Sequence, residues 1–342
     1  MPSLQRIEQI VGKETEHASS ETAELRDELL RQWKEHWPED VGQTFCTHVR
    51  AEIGTLSAKT RKEARGAFRR IQDSINAEAM DEALRAEQQR KSADRMKHEI
   101  LQCFDVINRM GRGVVYLGSA RLKPGSPMYE ESRELGREVY TLLGSTSWSG
   151  AGPGLMEAPL MGAKEAGGKT AGVKIELDSD QTFFEQDINP ALERENVAVC
   201  KYFGPRKVGL ADAAMREKEE DRTAIIVLPG GFGTIDEWSE YLVLKQLRKL
   251  GTNHSVPILL MNYGGFYNPL IEFLYKSCIE HGTIREDELS LFHMCNDNFS
   301  ALEILAEEHH IPLEKRTYHG RIHPKIAPKA IDGSLQEHGS GI

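Results

Sequence analysis

The feature that most constrains this chain is a glycine-rich turn between an aliphatic run and an amphipathic stretch. The aliphatic run is Ala224 to Leu228, the turn is Pro229 to Thr234, and the following stretch continues to Gly251. A short aliphatic run of this kind is typical of a buried strand, and the apolar spacing after the turn predicts a helix. Glycines let the backbone approach a ligand closely, and a helix N-terminus attracts anions. The pattern therefore predicts a phosphate-binding loop.

Composition limits the classes of protein to which the chain can belong. Of its 342 residues, 39 % are hydrophobic and 28 % are charged, which is typical of a globular protein with a sizeable core. The net charge of −10 argues against nucleic acid as a partner, because nucleic-acid binding requires Lys and Arg. Five cysteines without a CxxC pair indicate reduced thiols. With no signal peptide or membrane-spanning stretch, we expect a cytoplasmic protein without a membrane partner.

The first 110 residues form a separate and very polar region. Apolar residues at helical spacing predict a helix from Ser20, a second over 41–53, a third after Ser57 and a fourth over 80–110. No catalytic pattern occurs among these residues. We interpret residues 1–110 as a helical extension that acts as a cap or in oligomerisation, with a regulatory or partner-docking module as the alternative.

From Gly113 onwards, apolar runs that predict strands alternate with predicted helices. The predicted strands are 114–117, 145–149, 170–175, 197–199, 224–228 and 256–261. The predicted helices include 128–143, one from residue 204 to the acidic run at 217–221, one after the turn at 229–234, 266–281 and 301–310. Strands joined by such helices form a parallel sheet covered on both faces, so residues 111–315 predict a Rossmann-like α/β domain. Its ligands would bind at the carboxyl ends of the strands, and residues 316–342 predict a loose tail.

Two familiar nucleotide-binding motifs are not supported. Residues 163–170, AKEAGGKT, resemble a P-loop, but Ala163 replaces the first glycine and the segment runs from a helix into a strand. Residues 150–155, GAGPGL, end in Leu155 and lack the last glycine of a dinucleotide-binding fingerprint. Nucleoside triphosphate hydrolysis and dinucleotide redox chemistry therefore lose their support.

A second glycine turn and a pair of cations are further candidate ligand contacts. Gly150 to Gly154 precede a predicted helix, which makes another anion-binding N-terminus, with a tight packing turn as the alternative. Arg206 and Lys207 lie in the first turn of their predicted helix, where the helix dipole disfavours cations. Their position indicates a partner anion, and a solvated pair is the alternative. The histidines show no metal-ligand spacing, so no metal site is predicted.

Glu237 has two interpretations from its local sequence. Thr234 and Glu237 have the spacing of a capping box, in which the two side chains close the helix N-terminus. In the other interpretation, the carboxylate is a functional group beside the phosphate-binding loop. Glutamine serves a capping box as well as glutamate does, so capping alone predicts that Glu237→Gln is harmless.

At this point the sequence resembles a known family. Residues 229–237, PGGFGTIDE, match the PGGxGTxxE signature of the LOG-type phosphoribohydrolases, also labelled lysine decarboxylase-like. Residues 118–121 resemble the family's first loop, residues 152–157 its second glycine loop and residues 203–207 its MxxRK-like element. The GSAR form of the first loop and the N-terminal extension are similar to those of the larger bacterial-type nucleotide nucleosidases.

Two residues depart from the family pattern. Ala151 interrupts the usual triple glycine and adds a methyl group where backbone would meet ligand. Phe203 stands where methionine is common.

The resemblance implies a Rossmann-like fold and a homodimer, or a higher homo-oligomer, with a shared site. It implies hydrolysis of the N-glycosidic bond of a nucleoside 5′-monophosphate, such as a cytokinin riboside monophosphate or AMP, without a cofactor. Arg206 and Glu237 are the implied catalytic pair. The implied substrate-binding residues are Gly118, Ser119, Gly152, Gly154, Glu157, Lys207, Gly230, Gly231, Gly233 and Thr234.

Two other functions remain as alternatives. A non-catalytic carrier of a phosphorylated pterin-type cofactor would use the same fold, although the presence of both Arg206 and Glu237 favours the enzyme. Amino-acid decarboxylation, which the family's older label suggests, would require a lysine that binds pyridoxal phosphate. No sequence feature singles out such a lysine.

Overall fold

The computed structural model describes residues 58–176, 188–250 and 254–322, and isolated positions between 9 and 30. The chain forms two compact units, Met1–Asp94 and Arg95–Ile342. Helix α1 runs without interruption over Ala58–Met110, so the two helices predicted after Ser57 are one, because no proline breaks the stretch. The predicted helix over 41–53 lies outside the described residues.

Seven parallel strands form one sheet in the described part of the second unit. They are β1 (Gly113–Leu117), β2 (Thr146–Ser149), β3 (Thr170–Ile175), β4 (Val197–Cys200), β5 (Ala224–Val227), β6 (Ile258–Met261) and β7 (His293–Cys295). Their order across the sheet is β4-β3-β2-β1-β5-β6-β7. The chain therefore builds outward from β1 on one side and then returns to pair β5 with the other side of β1.

Helices cover both faces of this sheet. They are α2 (Pro127–Leu143), α3 (Ala158–Glu165), α4 (Phe203–Ala213), α5 (Phe232–Gln246), α6 (Asn268–Phe273) and α7 (Asn298–Glu308). The backbone continues from α6 as a π-helical segment, Leu274–Ile279. Because strand side chains alternate between faces, Tyr116 packs in the core under α2, α3 and α7, whereas Val115 packs in the core under α1, α4, α5 and α6. The predicted Rossmann-like parallel sheet with helices on both faces is confirmed.

Helix α4 ends earlier than the sequence predicts. It stops at Ala213 and does not reach the acidic run at 217–221. The carboxylate of Asp221 accepts hydrogen bonds from the backbone N–H groups of Glu217 and Lys218, at 3.0 and 2.9 Å, which favours a turn over a helix. Arg216, which directly precedes the acidic run, is buried.

Residues 316–322, which the sequence assigns to the loose tail, are packed onto the domain. Tyr318 and Ile322 are buried in the core under α2. The Nε of Arg321 donates to Oε1 of the buried Glu138 in α2, at 3.1 Å. This segment is therefore anchored by both apolar burial and an ion pair, and residues 323–342 lie outside the described part.

Helices α2 and α3 pack so closely that their backbones touch. A Cβ atom on Gly162 would lie 1.8 Å from the carbonyl oxygen of Arg133, and one on Gly136 would lie 2.0 Å from that of Pro159. We expect Gly162→Ala to lower the free energy of unfolding by about 2–3 kcal/mol, because a backbone atom blocks the new methyl group. Urea unfolding followed by circular dichroism measures the change.

The matched control is Gly320→Ala, because a Cβ atom there meets no described atom within 4 Å. Its free energy of unfolding should stay within about 0.5 kcal/mol of the parent value. Equal stability of the two variants would contradict the close packing of α2 and α3.

Candidate active site

Three glycine loops meet at the carboxyl ends of the central strands, where the strand order reverses. The first loop (118–121) follows β1, the second (150–157) follows β2 and the third (228–231) follows β5. The N–H of Ser119 donates to the carbonyl of Pro229 at 3.1 Å, and the N–H of Leu155 donates to the carbonyl of Ser119 at 2.8 Å. The three loops that the sequence singles out are therefore hydrogen-bonded into one rim, at the position where open α/β sheets bind ligands.

The third loop leads directly into the N-terminus of α5. Its first-turn N–H groups have no partners within the helix, which suits an anion. Cβ atoms built on Gly231 or Gly233 would meet no described atom within 4 Å, so the backbone here is open to a ligand. Gly230 is different, because its Cβ would lie 2.1 Å from Oγ1 of the buried Thr234. The loop has the shape that the predicted phosphate site requires.

The predicted capping box is wrong. Helix α5 begins at Phe232 with the extended residue Gly231 as its N-cap, and no side chain caps it. Thr234 is therefore already inside the first turn, and Glu237 lies in the second turn, beyond the reach of the N-cap N–H. The backbone of the glycine loop, rather than Thr234, makes the turn into the helix. This leaves Glu237 without the structural role that its local sequence suggests.

Arg206 and Glu237 come together beneath the rim. Nη2 of Arg206, on α4, lies 3.6 Å from Oε1 of Glu237, on α5. The two residues are only 6 % and 4 % exposed. The distance is that of an ion pair and is longer than a normal hydrogen bond. The implied catalytic residues thus form a buried pair of opposite charges.

The walls around the Arg206 guanidinium are mostly apolar. A Cβ atom on Gly150 would lie 2.1 Å from Nη2, the sulfur of Met156 lies 4.0 Å from Nη2, and the ring of Phe203 lies 5.2 Å from Cζ. Among the described residues, Nε of Arg206 has no hydrogen-bond partner. A buried cation with an unused N–H donor in mostly apolar surroundings is suited to bind an anion or a hydroxyl group.

The sequence placed Gly150 and Met156 in the second glycine loop but did not predict that either residue contacts Arg206. Gly150 leaves the volume that the guanidinium of Arg206 occupies, so its role is spatial and not conformational. The available signal was the run of glycines in the second turn, but nothing in the sequence shows which glycine faces Arg206.

Lys207 is held by carboxylates of α5. Its Nζ lies 2.8 Å from Oε2 of Glu240 and 3.1 Å from Oδ2 of Asp236. The hydrogen bond to Glu240, followed by that to Asp236, raises the pKa of Lys207. Lys207 thereby ties α4 to α5 next to the buried pair, and Asp236 is directed to this contact and not to Arg206. Its implied role in substrate binding stays a prediction.

Several other implied contact residues have packing roles in the rim. Gly154 adopts φ +71°, and a Cβ atom there would lie 2.5 Å from the carbonyl oxygen of Ser119. A Cβ atom on Gly118 would lie 2.8 Å from Cβ of Leu155. These contacts require glycine at both positions whether or not a ligand is bound.

Two polar groups of the second loop are also engaged with neighbouring residues. The hydroxyl of Tyr129 donates to Oε1 of Glu157 at 3.1 Å, and the side-chain amide of Asn189 donates to the carbonyl of Gly152 at 3.1 Å. Asn189 is buried and was not singled out from the sequence. Both bonds hold the second loop in place.

Ala151 has the left-handed backbone conformation that favours glycine, with φ +61°. It is fully buried, and a Cβ atom on Gly172 of β3 would lie 2.9 Å from its methyl group. The methyl group therefore packs against the sheet where Gly172 leaves room. This explains how the chain accommodates alanine within the usual triple glycine.

Comparison with known proteins agrees with this geometry. The family model described as "Possible lysine decarboxylase" matches residues 156–305. The cytokinin riboside 5′-monophosphate phosphoribohydrolase LOG7 of Arabidopsis thaliana is 30 % identical over 176 residues, which cover 51 % of this chain and 71 % of the relative. The chain belongs to the LOG family. The LOG protein of Oryza sativa subsp. japonica is 29 % identical over 181 residues, which cover 53 % of this chain and 66 % of that relative.

Solved structures similar to this LOG-family chain include molybdenum cofactor proteins. The molybdenum cofactor carrier protein of Chlamydomonas reinhardtii matches with a TM-score of 0.39 at 20 % identity, covering 58 % of this chain and 98 % of that chain. The molybdenum cofactor binding protein of Rippkaea orientalis matches with a TM-score of 0.37 at 18 % identity, with the same coverage. Such distant similarity does not indicate what this chain binds.

A substitution at Glu237 distinguishes a role in the buried ion pair from a role in helix capping. We expect Glu237→Gln to lower the free energy of unfolding by about 3 kcal/mol, because Arg206 would remain buried without its counter-charge. The control is Asp236→Asn, which removes the exposed neighbouring carboxylate and should change stability by less than about 0.5 kcal/mol. Urea unfolding of both variants measures this, and an unchanged Glu237→Gln variant would show that the pair contributes no stability.

Proposed function

We propose that this LOG-family chain hydrolyses the N-glycosidic bond of a nucleoside 5′-monophosphate, giving free base and ribose 5-phosphate. The observation that carries the proposal is the buried contact between Arg206 and Glu237, 3.6 Å apart, directly below the glycine rim. The candidate site therefore has a glycine loop suited to an anion, a cation with an unused donor, and a carboxylate. These are the groups that cleavage of a phosphorylated riboside requires.

The third loop and the N-terminus of α5 would hold the 5′-phosphate. The open backbone at Gly231 and Gly233 lets phosphate oxygens approach the N–H groups, and the helix dipole favours their charge. Binding the phosphate here would place the sugar next to the rim and fix its orientation relative to the buried pair. Such positioning is itself a large part of catalysis.

Arg206 and Glu237 would then act on the sugar. Breaking the bond to the base builds positive charge on the ribose ring, which the carboxylate of Glu237 stabilises while it orients the attacking water. The guanidinium of Arg206, whose Nε has no hydrogen-bond partner among the described residues, would bind ribose hydroxyl groups or a phosphate oxygen. The apolar walls around the pair strengthen both interactions, because little water is present to screen them.

The geometry disfavours decarboxylation through Lys207, the lysine adjacent to Arg206. A lysine that forms a Schiff base needs a lowered pKa, whereas the bonds to Glu240 and Asp236 raise the pKa of Lys207. Carriage of a phosphorylated pterin without hydrolysis would use the same phosphate loop. It would not require Arg206 and Glu237 to be in contact, and this contact favours the enzyme.

The family supports the proposed substrate class. The Arabidopsis and Oryza relatives are named for cytokinin riboside 5′-monophosphates, and we include these together with AMP and other purine or pyrimidine nucleotides as candidate substrates. The implied homodimer also stays a proposal. It is supported by exposed apolar side chains on the two site helices, among them Phe203, Phe232 and Val243. No helix among the described residues is long and apolar enough to cross a membrane, and the expected cytoplasmic location stays a prediction.

Incubation of the purified chain with a panel of nucleoside monophosphates, followed by chromatography of the free base, tests the proposal. We expect base release from at least one nucleotide, and a loss in kcat of about 10²–10⁴-fold in Glu237→Gln because the carboxylate charge acts on the transition state. Arg206→Lys should lose activity to a similar extent, since lysine cannot present the planar donors of arginine.

Asp236→Asn serves as the matched control on the same helix. It keeps the buried pair and should retain activity within about tenfold of the parent. Tight nucleotide binding without base release from any substrate would refute the enzyme and leave the carrier function.

A further inference from the structure

Two cysteines lie in contact on the side of the sheet that carries Arg206. Cys103, on α1, and Cys200, the last residue of β4, have their sulfur atoms 3.7 Å apart. Both residues are fully buried. They are 97 positions apart in the sequence, so their contact depends on the fold. Neither takes part in the proposed reaction.

The cysteine pair contacts the turn of α4 that carries Arg206. The thiol of Cys103 lies 3.9 Å from the carbonyl oxygen of Pro205, to which it donates, and Pro205 directly precedes Arg206. A Cβ atom on Gly209, one turn further along α4, would lie only 2.8 Å from the sulfur of Cys103. Any displacement of Cys103 therefore presses on the turn of α4 that holds Arg206.

We propose that Cys103 and Cys200 form a redox modification site, which hydrogen peroxide converts to an intramolecular disulfide, and that the disulfide lowers activity by displacing Arg206. The formation of the disulfide is independent of what the site hydrolyses. Only its effect on catalysis rests on the proposed function.

The two thiols are chemically unequal, which suits a stepwise oxidation. The hydrogen bond between the two sulfur atoms lowers the pKa of Cys200, and the positive charge of Arg206 lowers it further, whereas burial and the charge of Glu99 oppose this lowering. The same hydrogen bond and burial raise the pKa of Cys103. Cys200 is therefore the thiol that more readily loses its proton and becomes the nucleophile.

The proposed reaction balances in two steps. The thiolate of Cys200 attacks one oxygen of hydrogen peroxide, the O–O bond breaks, and the released hydroxide takes up a proton to form water. The sulfur of Cys103 then attacks the sulfenic acid on Cys200, which forms the S–S bond and releases a second water as the thiol proton is transferred. Two thiols lose two electrons in total, and one peroxide is reduced to two waters.

A groove next to the pair provides a route for a small oxidant. It has a volume of about 780 Å³ and is lined by Gln102 and Val106 on α1 and by Val199 on β4, which are sequence or helical neighbours of the two cysteines. The groove brings a small peroxide next to these neighbouring residues, although neither cysteine lines it. Larger oxidants would be excluded, because both sulfur atoms are buried.

Closing the disulfide would alter the support of Arg206. The sulfur atoms must approach from 3.7 Å to about 2.05 Å, and Cys103 loses the proton that it donates to the carbonyl of Pro205. With Gly209 leaving no spare volume, part of this movement passes to α4. A displacement of about 1 Å at a catalytic group lowers the rate by roughly 100-fold.

Mass spectrometry tests the modification itself. The reduced full-length chain is treated with graded hydrogen peroxide, its remaining thiols are alkylated, and it is digested without reductant. We expect a linked peptide that joins Cys103 to Cys200, which dithiothreitol removes. If peroxide instead modifies Cys278 while Cys103 and Cys200 stay fully alkylatable, the proposal is overturned.

Enzyme assays test the effect on the site. Oxidation should lower kcat/KM of the parent chain by roughly 100-fold, and dithiothreitol should restore it. Cys103→Ser and Cys200→Ser should keep their activity in peroxide, whereas the control Cys278→Ser should lose activity as the parent does. A linked peptide with unchanged hydrolysis would refute the coupling to Arg206. If no nucleotide is hydrolysed, the linked peptide still decides whether the redox site exists.

Discussion

The pairing of β1 with β5 is the constraint on which the rest of the site depends. It continues beyond the strands, where the N–H of Leu228 donates to the carbonyl of Leu117 at 2.8 Å and the N–H of Ser119 donates to Pro229. These bonds place the first and third glycine loops side by side. They also define the point where the strand order reverses, at which the helices that follow diverge and leave a crevice. Without this pairing, the glycine loops would be unrelated turns.

The electrostatics of the site follow from how α4 and α5 lie on one face of that sheet. Each helix contributes one member of the buried pair, Arg206 or Glu237. At the edge of this pair, Lys207 of α4 forms ion contacts with Asp236 and Glu240 of α5. A buried cation among apolar groups is unfavourable in an unliganded protein. In the proposed reaction, this cation would bind an anionic substrate, and the carboxylate of Glu237 would face the developing positive charge. The pair would then serve catalysis as well as stability, because breaking it leaves a buried charge without its partner.

The packing of α4 also connects the candidate active site to the buried cysteine pair. Helix α4 packs against β4 and α1, so we expect a change at Cys103 and Cys200 to shift Arg206. Gly209 and Gly150 mark the two close approaches, one beneath the helix and one beside the guanidinium. In both places a glycine is required for its missing side chain. The position of the Arg206 side chain therefore depends on packing on both sides of α4.

Local sequence was sufficient to predict the parallel sheet, because buried strands and intervening helices have distinct periodicities. It also marked the glycine loops, since several glycines in a strand-to-helix turn favour close approach of a ligand to the backbone. Resemblance to a family then identified Arg206 and Glu237, which the structure brings into contact.

Predictions from the local sequence pattern were wrong where the backbone formed a different turn. The glycine turn before α5 replaced the predicted capping box, and a carboxylate turn ended α4 before the acidic run. Residues 316–322 were assigned to a loose tail because their composition resembles one, yet burial of Tyr318 holds them in place.

What the sequence by itself determined are the features that depend on neighbours along the chain: most of the strands and helices, and the glycine loops. What only the tertiary structure decided are the contacts between distant segments. Gly150 against Arg206, Ala151 against Gly172 and the pair of cysteines belong to this class. The physical reason is that helical and strand periodicity are set by local backbone geometry, whereas such contacts depend on how the sheet brings remote residues within a few ångströms of each other.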